Sequence, residues 1–278
     1  MSTFMDGYAK VNPPTITDNA VAIPRIWWMN GAKQAKTPGV FYAKALEHPG
    51  EFPDGWTEAE RFQGETGYET AQLVCALVGW RMQAFNEVDG ARGKERVWLP
   101  EYKPGAKLYT EWLVMVDGLD YPCVICSKGL TGKALGVARK EFATRVLGPA
   151  AKLAGRPMVP WSFWMQLETS RDKHGKVEYV DTGYGSLITP PVLTLPSIFY
   201  QALDLKNDKS REELAANLDL LYVGDDLLQR GVELREEYAD WLKEKRGMTP
   251  TTAEAAPVCT DEAPDFEPML GDYDQDIF

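Results

Sequence analysis

The sequence predicts a mainly β protein built on a five-stranded barrel, and three observations predict it. Three strand-like runs follow one another: QLVCALVGWRMQAF (72–85), AKLYTEWLVMVDG (106–118) and YPCVICSKG (121–129). The period then changes. In TGKALGVARKEFATRVLG (131–148), Leu135, Ala138, Phe142 and Val146 recur at helical spacing. Two further strand-like runs, WSFWMQLETS (161–170) and VEYVDTGYG (177–185), flank the turn RDKHGK and read as a hairpin. Strand, strand, strand, helix, strand, strand (β-β-β-α-β-β) is the element order of the OB-fold, a small barrel with a helix between its third and fourth strands.

The remaining segments frame this core. Residues 1–24 are polar and carry Pro13, Pro14 and Pro24, so a mobile arm is expected. Residues 25–70 are punctuated by Gly and Pro, which argues for turns and short strands. Together, residues 1–70 are expected to form an N-terminal extension packed on the barrel (71–190). Gly148 and Pro149 are expected to stop the helix. In the C-terminal helical segment (191–247), Ser210 and Glu213 have capping-box spacing ahead of LAANLDLLY. A second helix runs from Asp225 to about Gly247. These helices either pack on the barrel or mediate self-association. Residues 248–278 hold five Pro or Gly and no apolar periodicity, so a disordered acidic tail is expected.

Charge is distributed unevenly. The formal net charge is −11. Eight of the 41 acids lie beyond Pro250, where there is no Lys or Arg, leaving 33 acids against 30 bases in the body. Residues 128–176 hold ten Lys/Arg and three acids. A basic stretch and an acidic tail therefore coexist, and that asymmetry says more about partners than the total does. No apolar run is long enough to span a bilayer, so no membrane partner is expected. The first ten residues show no basic region followed by an apolar core, so no secretion signal is expected. Four cysteines in 278 residues do not read as a disulfide scaffold, and the cytoplasm is the expected location.

Enzyme chemistry finds little support. Cys123 and Cys126 form a lone Cys-x-x-Cys on a strand, where positions i and i+3 face opposite ways. A structural zinc needs four ligands, and the only histidines are His48 and His174. GLTGKALG lacks phosphate-loop spacing, and no Gly-x-Ser-x-Gly elbow occurs. No metal, no cofactor and no catalytic residue is expected.

Aromatic residues among bases point instead to nucleic acid. On the fourth barrel strand, Trp164 shares the polar face with Ser162, Gln166 and Glu168, while Trp161, Phe163, Met165 and Leu167 share the other. On the second strand, Tyr109 lies beside Lys107 on the face opposite Trp112. Tyr179 follows a basic turn containing Arg171, Lys173 and Lys176. Trp27 and Trp28 follow Arg25, and strand geometry sends one of the two rings inward. Flat rings stack on unpaired bases for roughly 1–3 kcal/mol each, and Lys/Arg neutralise phosphates. The turn between the last two strands is a usual contact loop of OB-folds. Single-stranded DNA is the expected ligand.

The chain ends GDYDQDIF, an apolar pair on a charged tail. Asp272, Asp274, Asp276, Ile277 and Phe278 suit a partner pocket with an apolar floor and a basic rim, and the acids would speed the encounter. This tip resembles that of bacterial single-stranded DNA-binding proteins, which end in a run of Asp followed by Ile-Pro-Phe. Here the Pro is absent, and Tyr273 and Gln275 interrupt the acids. The resemblance implies that the tip recruits replication, recombination or repair proteins while the barrel holds DNA. It also implies a bacterial or phage-infected host cell. The competing expectation is an OB-like adaptor whose acidic tail recruits partners and whose body binds protein.

Overall fold

The computed structural model describes residues 23–61, 64–90, 93–100, 103–182, 187–201 and 205–243. The expected arm and the acidic tail, with Asp272, Asp274, Asp276, Ile277 and Phe278, lie outside the described residues. In chain order the strands are β1 (Arg25–Met29), β2 (Val40–Lys44), β3 (Thr57–Arg61), β4 (Glu65–Thr70), β5 (Gln72–Gly90), β6 (Gly93–Leu99), β7 (Lys107–Val116), β8 (Pro122–Lys128), β9 (Met165–Thr169), β10 (Val180–Asp181), β11 (Leu187–Ile188) and β12 (Pro191–Thr194). Ten of them form one mixed sheet in the order β12-β9-β5-β7-β8-β1-β2-β4-β3, with β6 paired to the far half of β5. β1 on β8 is the parallel ladder of this sheet. Strands β10 and β11 pair separately.

The ladders do not close into a barrel: β12 and β3 are free edges of the path. The sheet curls instead, and its distant parts meet through side chains. Trp28 Nε1 donates to the Thr189 carbonyl (2.8 Å), and Thr169 Oγ1 donates to the Gly39 carbonyl (2.7 Å). These bonds tie the β1–β2 loop to the β9 and β12 edge. The expected N-terminal extension is also more than a layer on the core, because β1, β2, β3 and β4 continue the same sheet beyond β8.

Both faces of the sheet are covered. The inner face carries Ile26, Trp28, Phe41, Leu73, Cys75, Trp112, Val114, Ile125, Met165 and Leu167. Helix α1 (Leu130–Phe142) buries Leu135, Ala138 and Phe142 against it, and helix α3 (Asp208–Leu221) adds Leu214 and Leu218. The outer face carries Ala76, Val78, Phe85, Tyr109, Leu113, Met115, Val124 and Cys126. Leu234 of helix α4 (Asp225–Glu237) and Trp241 of helix α5 (Ala239–Lys243) pack there. Strand β7 is consequently buried at every position from Tyr109 to Val116. Its Glu111 sits in that outer core at 1% exposure, bonded to Arg81 of β5 (2.7 Å), which is 6% exposed. Arg81 also donates to the Trp241 carbonyl (2.7 Å), and its guanidinium lies 3.9 Å from the centre of the Trp241 ring.

Several local expectations change for physical reasons. Helix α1 does not stop at Gly148-Pro149. It passes through a π turn (Ala143–Leu147) into helix α2 (Gly148–Ala154), whose first turn holds Pro149. The expected strand at 161 begins only at Met165, because Pro160–Ser162 winds a 3-10 turn. Alternation therefore breaks, and Trp161 enters the outer core while Phe163 enters the inner one. Trp161 lies flush against α4, where a Cβ on Gly231 would fall 2.1 Å from its ring. The RDKHGK turn forms, but the ladder partners of β9 are β5 and β12 instead of 177–185. Asn207, not Ser210, caps α3, accepting from the N–H groups of Lys209 (2.9 Å) and Ser210 (3.4 Å). The second C-terminal helix breaks at Tyr238 into α4 and α5.

Replacing Glu111 by Ala would leave the Arg81 guanidinium buried without its carboxylate. A loss of about 3–5 kcal/mol is expected in urea unfolding. An Arg81→Met/Glu111→Leu pair should recover much of it, since uncharged side chains of similar volume remove the desolvation cost. A Glu111→Ala loss under 1 kcal/mol would show that the pair is not buried in solution.

Candidate nucleic-acid interface

The outer face of β5, β6, β7 and β8 gathers aromatic and basic side chains at one corner. Register pairs Phe85 with Trp98 across β5–β6 and with Lys107 across β5–β7. In the next row Tyr109 stands between Gln83 and Lys128. Trp98 meets Tyr109 edge-on (5.6 Å between ring centres), and Phe85 lies 5.4 Å from Trp98. The Arg96 guanidinium sits over both Phe85 (5.3 Å) and Tyr109 (5.4 Å). Arg96, Lys107 and Lys128 are exposed, and Trp98 is half-buried. Lys107 pairs with Glu87 (2.6 Å). The β5–β6 hairpin builds this corner because β5 runs 19 residues, well beyond the sheet's core.

The residues expected to touch DNA divide by location. Lys107 belongs to this corner. Tyr109 belongs to its floor, being 2% exposed with Trp98, Phe85 and Arg96 around its ring. Tyr109 braces Trp98 and Arg96, and in this packing it offers no free ring face. Trp28 is likewise an inner-core residue, edge-on to Phe41 at 4.7 Å. Trp27 takes the outer face beside Cys126 of β8, half-buried, and its Nε1 has no hydrogen-bond partner among the described residues. Arg25 is half-buried on the same face of β1.

Trp164 lies elsewhere. It borders a cleft of about 460 Å³ with Val74, Asp117, Gln166, Thr194 and Leu221, and the lining includes no Lys or Arg. Arg171, Lys173 and Lys176 are exposed on their turn. Asp172 shapes it, its Oδ1 accepting from the N–H groups of His174 (2.8 Å) and Lys176 (2.9 Å), with Gly175 at φ 75°. Tyr179 donates its hydroxyl to the Thr37 carbonyl (2.9 Å), which docks this turn on the β1–β2 loop. Arg96, Trp98 and Phe85 are not among the residues the sequence marks for DNA. Their signal lies in GARGKERVW, whose bases precede a Trp at strand spacing, within the charged segment between the first two strand-like runs.

The titratable groups of the interior behave as structural parts. Burial pushes the Cys75 thiol up to about 12 and raises that of Cys123 as well, so neither is a ready nucleophile. Cys123 and Cys126 fall in opposite cores, as strand alternation requires. Among the described residues no three His, Cys, Asp or Glu cluster as metal ligands. No described helix is long and apolar enough to cross a membrane. His48 is 8% exposed. Its Nε2 lies 3.1 Å from the Arg25 carbonyl and its Nδ1 3.2 Å from the Tyr121 hydroxyl. A carbonyl can only accept, so Nε2 carries the proton and Nδ1 accepts from Tyr121. Burial lowers the pKa of this ring and keeps it neutral.

No protein-family model, no curated protein and no solved structure matches the chain. Function rests on the chemistry of the site itself.

The neutral ring makes stability pH-dependent. Unfolded His48 takes up a proton near its ordinary value of 6.5, whereas the folded ring resists it. Its contribution is complete above that value and declines as pH falls below it toward the lowered folded value. Thermal midpoints should drop between pH 7.5 and 5.5 in the parent and stay flatter in His48→Gln. Equal slopes in the two proteins would remove His48 as the cause.

Proposed function

We propose that this protein binds single-stranded DNA with little sequence preference and recruits replication, recombination or repair proteins through its acidic tip. The observation that carries the reading is the corner where half-buried Trp98 is held against Tyr109 and Phe85 with Arg96, Lys107 and Lys128 around it. A held indole beside exposed cations is what a stacked base and its flanking phosphates require. The arrangement of strands supports it further. With β6 set aside after β5, and β10 and β11 before β12, the strands β5, β7, β8, β9 and β12 with α1 between β8 and β9 come in the OB element order, and β9 and β12 lie on the far side of β5. In OB-folds the second and third strands and the loops joining strands one to two and four to five contact nucleic acid. The corresponding connections here are the β5–β7 segment with Arg96 and Trp98, and the β9–β12 segment with Arg171, Lys173 and Lys176. The tip's role rests on its sequence and its resemblance to the bacterial proteins.

The adaptor reading draws on the Trp164 cleft. Its Asp117 and missing cations suit a neutral or basic peptide better than a phosphate.

A labelled oligo-dT should shift on a native gel at micromolar protein, ahead of duplex of equal length, and weaken as salt rises. Trp98→Ala should weaken it by about 1–3 kcal/mol. Removing residues 271–278 should preserve or tighten DNA binding and abolish partner capture. No shift with oligo-dT would turn the assignment to the adaptor.

A further inference from the structure

The β1–β2 loop (30–39) carries two lysines, Lys33 and Lys36, both exposed. It is a pinned loop. Lys36 N–H donates to the Lys33 carbonyl (3.1 Å), Thr37 N–H to the Ala32 carbonyl (3.2 Å), and Ala32 N–H to Thr37 Oγ1 (2.9 Å). Lys36 takes φ 55°, a left-handed conformation that a non-glycine residue adopts at a cost and holds only when its surroundings fix it. From outside, Gly31 N–H donates to Thr189 Oγ1 (2.8 Å), and the Tyr179 hydroxyl donates to the Thr37 carbonyl (2.9 Å). The same Tyr179 follows the turn of Arg171, Lys173 and Lys176. Two loops far apart in sequence are thus held side by side, presenting five cations.

None of the five has a carboxylate partner among the described residues. The acids nearby are occupied locally. Asp172 accepts backbone N–H groups within its turn, and Glu178 accepts from the Ser170 hydroxyl. The loop is also continuous with the aromatic corner. β1 runs parallel to β8 with Trp27 beside Cys126, and two residues further along these strands stand Met29 and Lys128. The β1–β2 loop leaves the sheet directly after Met29. Lys128 at the end of β8 and the β1–β2 loop with Lys33 and Lys36 therefore leave the sheet at the same end of two parallel strands.

We propose that Lys33 and Lys36 form, with Arg171, Lys173 and Lys176, a two-loop clamp for the phosphate backbone of single-stranded DNA, extending the footprint away from the Trp98 corner. This rests on the DNA-binding reading above. It assigns the β1–β2 loop a ligand contact that neither aromatic content nor strand pattern indicated. Each lysine acts as a point charge on a flexible stem carried by a pinned backbone, so the clamp supplies affinity and salt dependence without selecting bases.

The test uses the full chain, fluorescein-labelled oligo-dT and anisotropy titrations at several salt concentrations. Lys33→Gln/Lys36→Gln removes two phosphate contacts. The slope of log affinity against log salt should become shallower by about 1.4, equivalent to roughly 25-fold weaker binding at 0.1 M salt. Lys140→Gln/Lys152→Gln removes the same charge from exposed positions on α1 and α2, and should leave the slope unchanged. Both pairs are exposed, and equal thermal midpoints check that the fold is intact. An unchanged slope in Lys33→Gln/Lys36→Gln, with the parent binding normally, overturns the clamp and leaves the DNA-binding reading standing. An equal change in both variants also overturns it, since total charge would then be the cause. Failure of the parent to bind oligo-dT at all overturns both proposals.

Discussion

The Arg81–Glu111 pair is the interaction around which the outer half of the molecule is arranged. Two opposite charges at 2.7 Å sit in the middle of a sheet face, between β5 and β7, almost without solvent. Neither could stay there alone, because an unpaired charge in a low-dielectric interior costs several kcal/mol. Together they still need covering and further bonds. The Trp241 carbonyl and ring supply these to Arg81 and bring α5 down on the sheet. Leu242 of α5 then packs at Gly79, where a Cβ would come within 2.6 Å of its methyl group. The pair therefore does more than join two strands. It specifies where the C-terminal helices dock, and hence which part of the outer face is left open.

That placement bears on the proposed DNA site. With α4 and α5 over the middle of the outer face, the surface available to a nucleic acid shifts to the far corner of β5–β8 and to the loops. The corner is rigid for its own reason. Tyr109 meets Phe85 and Trp98 edge to face, which the ring quadrupoles favour, Phe85 and Trp98 pack tilted against each other, and Arg96 lies across two of the rings. A base stacked on Trp98 would meet a surface already ordered, so little side-chain entropy would be lost on binding. The acidic tail, with most of the chain's net negative charge, follows α5 in sequence, so the basic edge and the acidic segment belong to different parts of the chain.

The curl of the sheet is the second constraint. Thr189 receives the Trp28 indole N–H at its carbonyl and the Gly31 N–H at its hydroxyl, while its own N–H donates to Asn30. One fully buried threonine thus holds the end of β1 to the entry of β12 without any ladder between them. It also sets the β1–β2 loop beside the basic turn, an arrangement that neighbouring strands alone would not produce.

The sequence by itself determined the local periods. β5, β7, β8 and the start of α1 stand where apolar and β-branched runs, and then a helical repeat, placed them. Cys123 and Cys126 separate as an i, i+3 pair on a strand must, and the Asp172–Gly175 turn follows from its own side-chain acceptor and glycine. What it could not determine was which polar positions stay outside. Tyr109 and Glu111 alternate with apolar neighbours as if facing water. Glu111 is buried because α4 and α5, more than 100 residues later, cover its part of the face and Arg81 compensates its charge, whereas Tyr109 is buried because Trp98, Phe85 and Arg96 close around its ring. Likewise nothing local marks β1 as the parallel neighbour of β8, or Thr37 as the hydrogen-bond partner of Tyr179. Alternation records that a strand has two faces, whereas only tertiary packing decides whether one, both or neither of them meets solvent.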